Sequence, residues 1–445
     1  MEHFPQEILH SILRRTSVYS QNESTMVCRA WRVAARHVLS QTASKIIMRS
    51  NRLAHYALQL DSIPNFGQGI STVALSVRAA QGLDSANQFE DIVRRWPLLV
   101  NLLFHGTHPG LFVERLLDAN IALPYLEQIR VSREHIASLG HFYLELLRRY
   151  SSSLRRITID VSASGLFDTL LVLYGNVARY VAGFPNLKHL VLLTDRQVVL
   201  NTLLSSCPGL KTLELSVDPG RFLAVQDVAV PPVSHLEQLK VDAGVISLRL
   251  YAYLREFCPY LKDLHVSCNG RESLAGMVDT FDYYLGDLTL AIKSFAVGNG
   301  LQVSLEMLGK LATWFPLLNT VDFGLADFSL VTDDQRNIRL AFGRLRVAFM
   351  SIDLSPIIGR ELTMDKVAFE FVVGGQTVWL QRDGAWRTGK QFTMRHNARY
   401  LTSSQHRYHS MDTAVVRVEA ASIATIRFVT SYHNSLFKQT IHLNL

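Results

Sequence analysis

The chain of 445 residues has no long hydrophobic run and few charged side chains. None of its apolar runs approaches the ~18–20 residues that a helix needs to cross a bilayer. Its opening segment, MEHFPQEILHSILRR, carries charges where a secretory signal peptide has an apolar stretch. We therefore expect a soluble protein of the cytoplasm, the nucleus or both, without a membrane partner. Because 48% of the residues are hydrophobic, most of the chain should fold around a core.

Cysteine is scarce as well, with only Cys28, Cys207, Cys258 and Cys268. They form no CxxC pair and have no histidine at metal-ligand spacing, so we expect neither a disulfide nor a bound metal. Free cysteine is among the most buried residue types. Cys207 and Cys258 precede prolines at predicted helix ends, where burial would keep their thiols unreactive. We predict no catalytic nucleophile among the four.

The common motifs of catalysis and nucleotide binding are missing too. The chain has no G-x-x-x-x-G-K-[ST], no G-x-G-x-x-G, no H-E-x-x-H and no G-x-S-x-G. Its 16 histidines are scattered, and no pair of them flanks a carboxylate at helical spacing. We therefore expect a protein that is not an enzyme and that needs no cofactor.

The net charge of +7 is concentrated in one segment, residues 381–410, which holds six lysines and arginines against one acid, Asp383. A basic segment invites a nucleic-acid interpretation. Its aromatic residues, Trp386, Phe392, Tyr400 and Tyr408, lack the regular placement of a base-stacking platform. Nucleic acid is therefore not the partner that the sequence favours.

What the chain does have is a repeat. The phrase L-x-x-L-x-L, with other aliphatic residues allowed, occurs twelve times between Ala43 and Val347, at a mean step of about 28 residues. Proline stands just before many copies, as in WPLL, LPYL, CPYL and FPLL, and marks the end of a helix and the start of a strand. Apolar residues at helical spacing lie between the phrases, for example Ile136, Leu139, Phe142 and Leu146.

Each unit is thus a short strand followed by a helix, and it buries its apolar face only by stacking on its neighbours. Residues 43–352 resemble the leucine-rich-repeat family, in particular its cysteine-containing variety. The resemblance implies an α/β solenoid with a curved parallel sheet inside and helices outside.

Beyond the repeats, the segment VAFEFVVGGQTVWL alternates in β fashion around Gly374-Gly375 and predicts a hairpin. SIATIRFV and the final TIHLNL predict two more strands. Whether these strands continue the repeats or form a separate cap is left open by the sequence. We divide the chain into a helical module (1–41), the solenoid (42–355) and a β-rich segment (356–445).

The first forty residues carry a second resemblance. Phe4-Pro5, the run Glu7-Ile8-Leu9 and the segment VCRAWR from Val27 follow the order and spacing of the F-box, a small three-helix module. Proline suits the first turn of a helix, where its missing N–H is not needed. The resemblance implies docking on the Skp adaptor of a cullin-RING ubiquitin ligase, with Trp31 as the scaffold of the module. The residues that match the docking motif are Phe4, Pro5, Ile8, Leu9, Ile12, Val27, Cys28 and Trp31.

The repeats would then hold a protein substrate. In L-x-x-L-x-L the leucines point into the core, and strand alternation sends the residues between them to the concave face. The face predicted from the best-defined units comprises Gln128, Arg130, Arg156, Thr158, Asp160, His189, Thr212, Glu214, Gln238, Lys240, Asp242, Asp263 and His265.

The sequence therefore favours a substrate receptor of a Skp–cullin–F-box ubiquitin ligase. It also allows a leucine-rich-repeat scaffold whose F-box-like cap no longer binds the adaptor, because Thr16 and Gln21 stand where the family has leucines. It identifies neither the substrate nor the signal that the substrate carries.

Overall fold

A computed structural model describes residues 6–15, 24, 27–42, 45–62, 70–77, 82–106, 108–132, 135–136, 139–162, 176–217, 222–224, 233–242, 245–246, 249–267, 290–298, 303–324, 326, 328, 331–332, 338–353, 367–373, 376–381, 399–400, 414–432 and 435–442. Phe4, Pro5, Cys268 and almost all of the basic segment lie outside these residues. The chain forms two compact units, 1–191 and 192–445.

The described part of the first unit begins with two helices and continues as a strand–helix repeat. The helices are α1 (Gln6–Arg14), α2 (Arg29–Thr42), α3 (Leu53–Ser62), α4 (Leu83–Arg94), α5 (Gly110–Asp118), α6 (His141–Arg149) and α7 (Val177–Val181), with a 3₁₀ turn at Ser50–Arg52. The strands are β1 (Lys45–Arg49), β2 (Thr72–Val77), β3 (Asn101–Gly106), β4 (Gln128–Val131), β5 (Arg156–Val161) and β6 (His189–Thr194), whose end belongs to the second unit.

The strands of the first unit pair in chain order, and β1 to β5 are all parallel. The ladder reaches β6, since the N–H groups of Lys188 and His189 donate to the Arg155 carbonyl. The helices pack on one side of these strands. Phe89 of α4 lies 6.0 Å from the Phe104 ring of β3, and both are fully buried. Parallel strands need such a covered face because crossover helices connect them.

The second unit contains three helices in its described residues and most of the remaining strands. The helices are α8 (Leu200–Ser206), α9 (Arg249–Phe257) and α10 (Leu305–Trp314). The strands are β7 (Val198–Val199), β8 (Thr212–Val217), β9 (Phe222–Ala224), β10 (Gln238–Asp242), β11 (Val245–Ile246), β12 (Asp263–Ser267), β13 (Ser294–Val297), β14 (Thr320–Phe323), β15 (Ile338–Ala341), β16 (Arg346–Asp353), β17 (Val367–Val373), β18 (Gln376–Gln381), β19 (Arg399–Tyr400), β20 (Ala414–Ala420), β21 (Ser422–Tyr432) and β22 (Ser435–His442).

In this unit β8, β10, β12, β13, β14, β16 and β21 pair in that order, all parallel. β22 then pairs with β21 in the antiparallel sense. The short strands β7, β9 and β11 form a second parallel ladder. The strand–helix repeat with parallel strands is therefore confirmed, and each of the twelve repeat phrases contains or overlaps a strand of the parallel sheet in its own unit.

The β-rich end of the chain contributes strands to two different sheets. Strand β21 continues the parallel repeat sheet, whereas β15, β20, β17, β18 and β19 form a separate five-stranded sheet. The predicted hairpin is confirmed, since β17 and β18 pair antiparallel on either side of residues 374–375. Thus the segment that the sequence left undecided both extends the repeats and supplies four of the five strands of a second sheet, the fifth being β15.

Candidate protein-interaction surfaces

Helices α1 and α2 share a small core of their own. Apolar residues at helical spacing bury Leu9 and Leu13 of α1 against α2, and all five core residues are no more than 1% exposed. Trp31 is half-buried and packs against this core. The α2 residues of this core are Ala34, Ala35 and Val38.

The other side of α1 exposes large apolar residues. Ile8 and Ile12 are 45% and 41% exposed, and Val27, just before α2, is 60% exposed. Cys28 is half-buried. Of the residues that match the docking motif, Leu9 contributes to the core, while Ile8, Ile12 and Val27 form the accessible set. Exposed apolar residues close together are typical of sites where a partner binds.

The strand face opposite the helices, here called the open face, carries the polar residues of the repeats. In the first unit Arg130 and Arg156 are exposed, whereas Gln128, Thr158 and His189 are half-buried. Asp160 differs from the expectation, because it is only 8% exposed and its carboxylate accepts hydrogen bonds from the N–H and hydroxyl of Ser162. The two arginines are therefore the charges that this part of the face offers to a partner.

In the second unit the strand register aligns the open-face residues in rows. One row joins Glu214, Lys240 and His265 and continues through Ala296 to Asp322. The Lys240 ammonium lies 4.0 Å from the Glu214 carboxylate. A parallel row joins Thr212, Gln238 and Asp263. The Gln238 amide in that row donates to Asp263 at 2.7 Å, so neighbouring strands are linked by side chains as well as by the backbone.

His265 lies in the middle of this face, in surroundings that disfavour its protonated form. Burial, followed by the nearby Lys240 ammonium, lowers the pKa of His265, against the opposing effect of the carboxylates around it. Gly298 follows strand β13 directly, and a Cβ atom there would lie 2.5 Å from Ser267 Cβ and 3.1 Å from His265 Nε2. The Asp242 Oδ1 atom is buried without a hydrogen-bond partner. The face thus carries charges of both signs around a half-buried imidazole.

Sequence reasoning missed several members of this face. Asp322 of β14 is aligned with Ser351 of β16, in the register of the weaker repeats. Arg427 of β21 is aligned with Ser351 in turn, because β21 pairs with β16. The Arg427 guanidinium lies 4.8 Å from the centre of the Phe349 ring, a cation–π contact. The repeat phrase could have supplied Asp322. Nothing in the local sequence gives the pairing of β21.

A second charged row borders the open face, one residue before each strand. Glu237 bridges two lysines, with Lys211 Nζ 2.6 Å from one carboxylate oxygen and Lys262 Nζ 2.9 Å from the other. These hydrogen bonds lower the pKa of the Glu237 carboxyl to about 2. In the first unit Arg155 and Glu127 form a looser pair at 3.3 Å at the equivalent positions. The sequence analysis predicted neither the row of Lys211, Glu237 and Lys262 nor the Arg155–Glu127 pair.

Two of the described cysteines, Cys207 and Cys258, lie in surroundings that disfavour the reactive thiolate form. Cys207 and Cys258 are buried, as predicted, and burial raises the pKa of their thiols to about 11 and about 12. Among the described residues no three of histidine, cysteine, aspartate and glutamate come together as a metal site requires. No described helix is both long and apolar enough to span a bilayer.

Comparison with known proteins yields structural neighbours only. No protein-family model matches the chain, and no curated protein matches it. A solved yeast structure of the Rad7 and Elc1 complex contains a chain that aligns over 74% of this chain and 91% of its own length, at 12% identity and a TM-score of 0.38. A structure of a TLR13–ssRNA13 complex aligns over 71% of this chain and 58% of its own, at 10% identity and a TM-score of 0.26.

Proposed function

We propose that this chain is a non-catalytic substrate receptor of a Skp–cullin–F-box ubiquitin ligase, active in the cytoplasm or the nucleus. Helices α1 and α2 bind the Skp adaptor, and the open face binds a protein substrate. The observation that carries the proposal is the division of α1 into two sides. Leu9 and Leu13 hold the helix pair together, while Ile8 and Ile12 stay exposed at positions where the F-box resemblance puts adaptor contacts.

The energetics of α1 favour a bound partner. Fully burying an isoleucine side chain gains roughly 1.5–3 kcal/mol, so covering Ile8, Ile12 and Val27 recovers a free energy that the isolated chain leaves unused. The core of the helix pair does not need these three side chains, because Leu9 and Leu13 already supply the α1 part of it. The helix pair can therefore bind the adaptor without unfolding.

The contribution of this chain to ubiquitin transfer is positional. Its buried thiols Cys207 and Cys258, with raised pKa values, are poor candidates for carrying ubiquitin as a thioester. A receptor that holds the substrate near a charged conjugating enzyme raises the effective concentration of the acceptor lysine. No residue of this chain then needs to touch the reacting bond.

The test of adaptor binding is co-purification with the Skp adaptor. Ile8→Asp and Ile12→Asp should each abolish it, because a charge in an apolar interface loses its hydration without gaining a partner. Ser11→Asp is the matched control, since Ser11 is exposed on the same helix and the change adds the same charge. Normal co-purification of both isoleucine variants would favour the scaffold alternative, in which the cap does not bind the adaptor.

The test of substrate binding uses the open face of the first unit. Reversing Arg130 and Arg156 together to glutamate should remove substrate proteins from an affinity purification while the adaptor still co-purifies. Reversing Arg52 and Arg344, both exposed and outside the strands, changes the net charge equally and serves as the control. An unchanged set of partners in the first variant would exclude this part of the face from substrate binding.

A further inference from the structure

A row of charges in the second unit has one place where its alternation fails. Lys211, Glu237, Lys262 and Lys293 each precede a strand, and hydrogen bonds of their own backbones link successive members at 2.7–2.8 Å. Their Cα atoms are therefore about 4.8 Å apart from one strand to the next. We call these four residues the rim row. Its first three members alternate in sign, and Glu237 accepts one hydrogen bond from each neighbouring lysine.

The fourth member breaks the pattern, because Lys293 follows Lys262 with no carboxylate between them. Lys293 is exposed and makes no ion pair within the described part of the chain. Like charges on neighbouring strands repel each other. Lys262 still has donors to offer, since an ammonium group carries three N–H bonds and Glu237 takes one. The space between Lys262 and Lys293 is thus suited to an anion from another molecule.

An aromatic platform lies beside this place. His235 and Tyr260, two residues before Glu237 and Lys262, are stacked with ring centres 5.4 Å apart and planes inclined by 17°. Tyr260 is 52% exposed, and Leu317, at the same position of a later repeat, is 56% exposed. Tyrosine with one accessible ring face is characteristic of interfaces, where it offers a large contact area at low entropic cost.

The platform is rigid before any partner arrives. The Ser234 N–H donates to the Phe257 carbonyl at 2.8 Å, and the Leu261 N–H donates to the Cys258 carbonyl at 3.1 Å. Ser234 and Leu261 are 5% and 2% exposed, so the residues next to His235 and Tyr260 are anchored in the core. Preorganisation of this kind lowers the entropy that binding costs.

We propose that the rim row and the His235–Tyr260 pair bind an acidic peptide segment of a partner protein. A carboxylate of that segment lies between Lys262 and Lys293, just as Glu237 lies between Lys211 and Lys262, and an aromatic or aliphatic side chain packs on Tyr260. A single-stranded nucleic acid fits less well, because its continuous phosphate backbone would have to pass the ionised Glu237. The site is separate from the adaptor-binding helices and does not depend on the proposed function.

The test measures binding of a fluorescein-labelled peptide of repeated Glu-Glu-Tyr to the full chain by fluorescence anisotropy at low salt. Lys293→Glu puts a carboxylate beside Lys262 and should weaken binding about fivefold or more. Tyr260→Ala should weaken it about five- to tenfold. Lys45→Glu and Tyr125→Ala make the same changes at exposed positions of the first unit and should leave the affinity unchanged, since the residue paired with Lys45 on the next strand is the uncharged Thr72.

Four results would overturn the proposal. One is an equal loss in the first-unit controls, which would mean that the peptide responds to net charge alone. Another is undiminished binding of a Gln-Gln-Tyr peptide, or no binding of the acidic peptide at all. The last is tighter binding of a labelled oligothymidylate with the same dependence on Lys293 and Tyr260, which would make the site a nucleic-acid surface. Unchanged urea midpoints of the variants exclude misfolding as the cause of a loss.

Discussion

Gly106 ends β3 with a φ of 100°, in the region that favours glycine. A Cβ atom there would lie 1.8 Å from the Val77 carbonyl oxygen, a backbone atom that cannot move aside cheaply. We predict that Gly106→Ala lowers the free energy of unfolding by about 2–3 kcal/mol. Gly82→Ala is the control, because a Cβ atom at Gly82 meets nothing within 4 Å and its φ is −76°. Urea midpoints of the two variants measure the difference, and equal midpoints would contradict the strain at Gly106.

Glu237 gives a prediction of pH dependence. Its pKa is lowered from 4.5 to about 2 by the lysines on either side. The two ion pairs should therefore persist from neutral pH down to about pH 2, and their contribution to stability should decline as the pH falls from about 4.5 to about 2. The ¹³C NMR signal of the Glu237 carboxyl should still report the ionised form near pH 3.

Removing both partners, as Lys211→Gln with Lys262→Gln, should return the Glu237 titration towards the ordinary glutamate range. The double variant with arginine at both positions keeps the charges and should keep the pKa low. High salt should raise the pKa of the unmodified chain, since the row is only partly buried and its charges are screened. A titration that is the same in all three proteins would rule out the lysines as the cause.

At the scale of single elements, the repeat phrase predicted strands well because its chemistry is local. The leucine that opens LEQIRV, LKTLEL or LKDLHV is buried, and the strand starts two residues later. The side of each helix that faces the core was predicted less well. Gly140 has a φ of 53° and interrupts the predicted run before α6. As a result Tyr143 is buried and donates to the Thr158 carbonyl, while Phe142, predicted to be in the core, is half exposed.

The interaction surfaces could be predicted only as far as single strands determine them. Alternation correctly separated the polar residues of β10 and β12 from their buried neighbours. It could not show that Asp160 is satisfied by Ser162, nor that Arg427 reaches Phe349 from a strand far along the chain. Such contacts depend on long-range pairing, which no local pattern encodes. The stack of His235 on Tyr260 was missed for the same reason.

Strand β22 is the last strand of the repeat sheet and covers the longer β21, and this gives a prediction about an element. It pairs antiparallel with β21 along residues 425–432 and so satisfies backbone groups that would otherwise face solvent. Unpaired strand edges promote association between chains. Deleting residues 433–445 should therefore produce concentration-dependent assembly in size-exclusion chromatography. Deleting residues 443–445 alone leaves β22 whole and should not, and identical elution of the two truncated chains would contradict the protective role.

At the scale of the whole chain, the stability of a repeat protein is close to a sum of local terms, because each unit packs mainly on its neighbours. The chain divides into two compact units at residues 191 and 192. Each unit has its own fully buried aromatic contacts, with Phe89 beside Phe104 in the first and Phe295 beside Phe315 in the second. A substitution that creates a cavity in one unit should therefore destabilise chiefly that unit.

Phe89→Ala and Phe295→Ala test this locality as a matched pair. Each removes a fully buried phenyl ring at a cost of about 3–5 kcal/mol. Hydrogen exchange measured by mass spectrometry should accelerate in β2, β3 and α5 for Phe89→Ala, while β12 to β14 keep their protection. Phe295→Ala should give the reverse pattern. If both variants accelerated exchange equally throughout the chain, the repeats would unfold as a single cooperative unit, and substitutions on the open face of one unit could no longer be interpreted without their effect on the other.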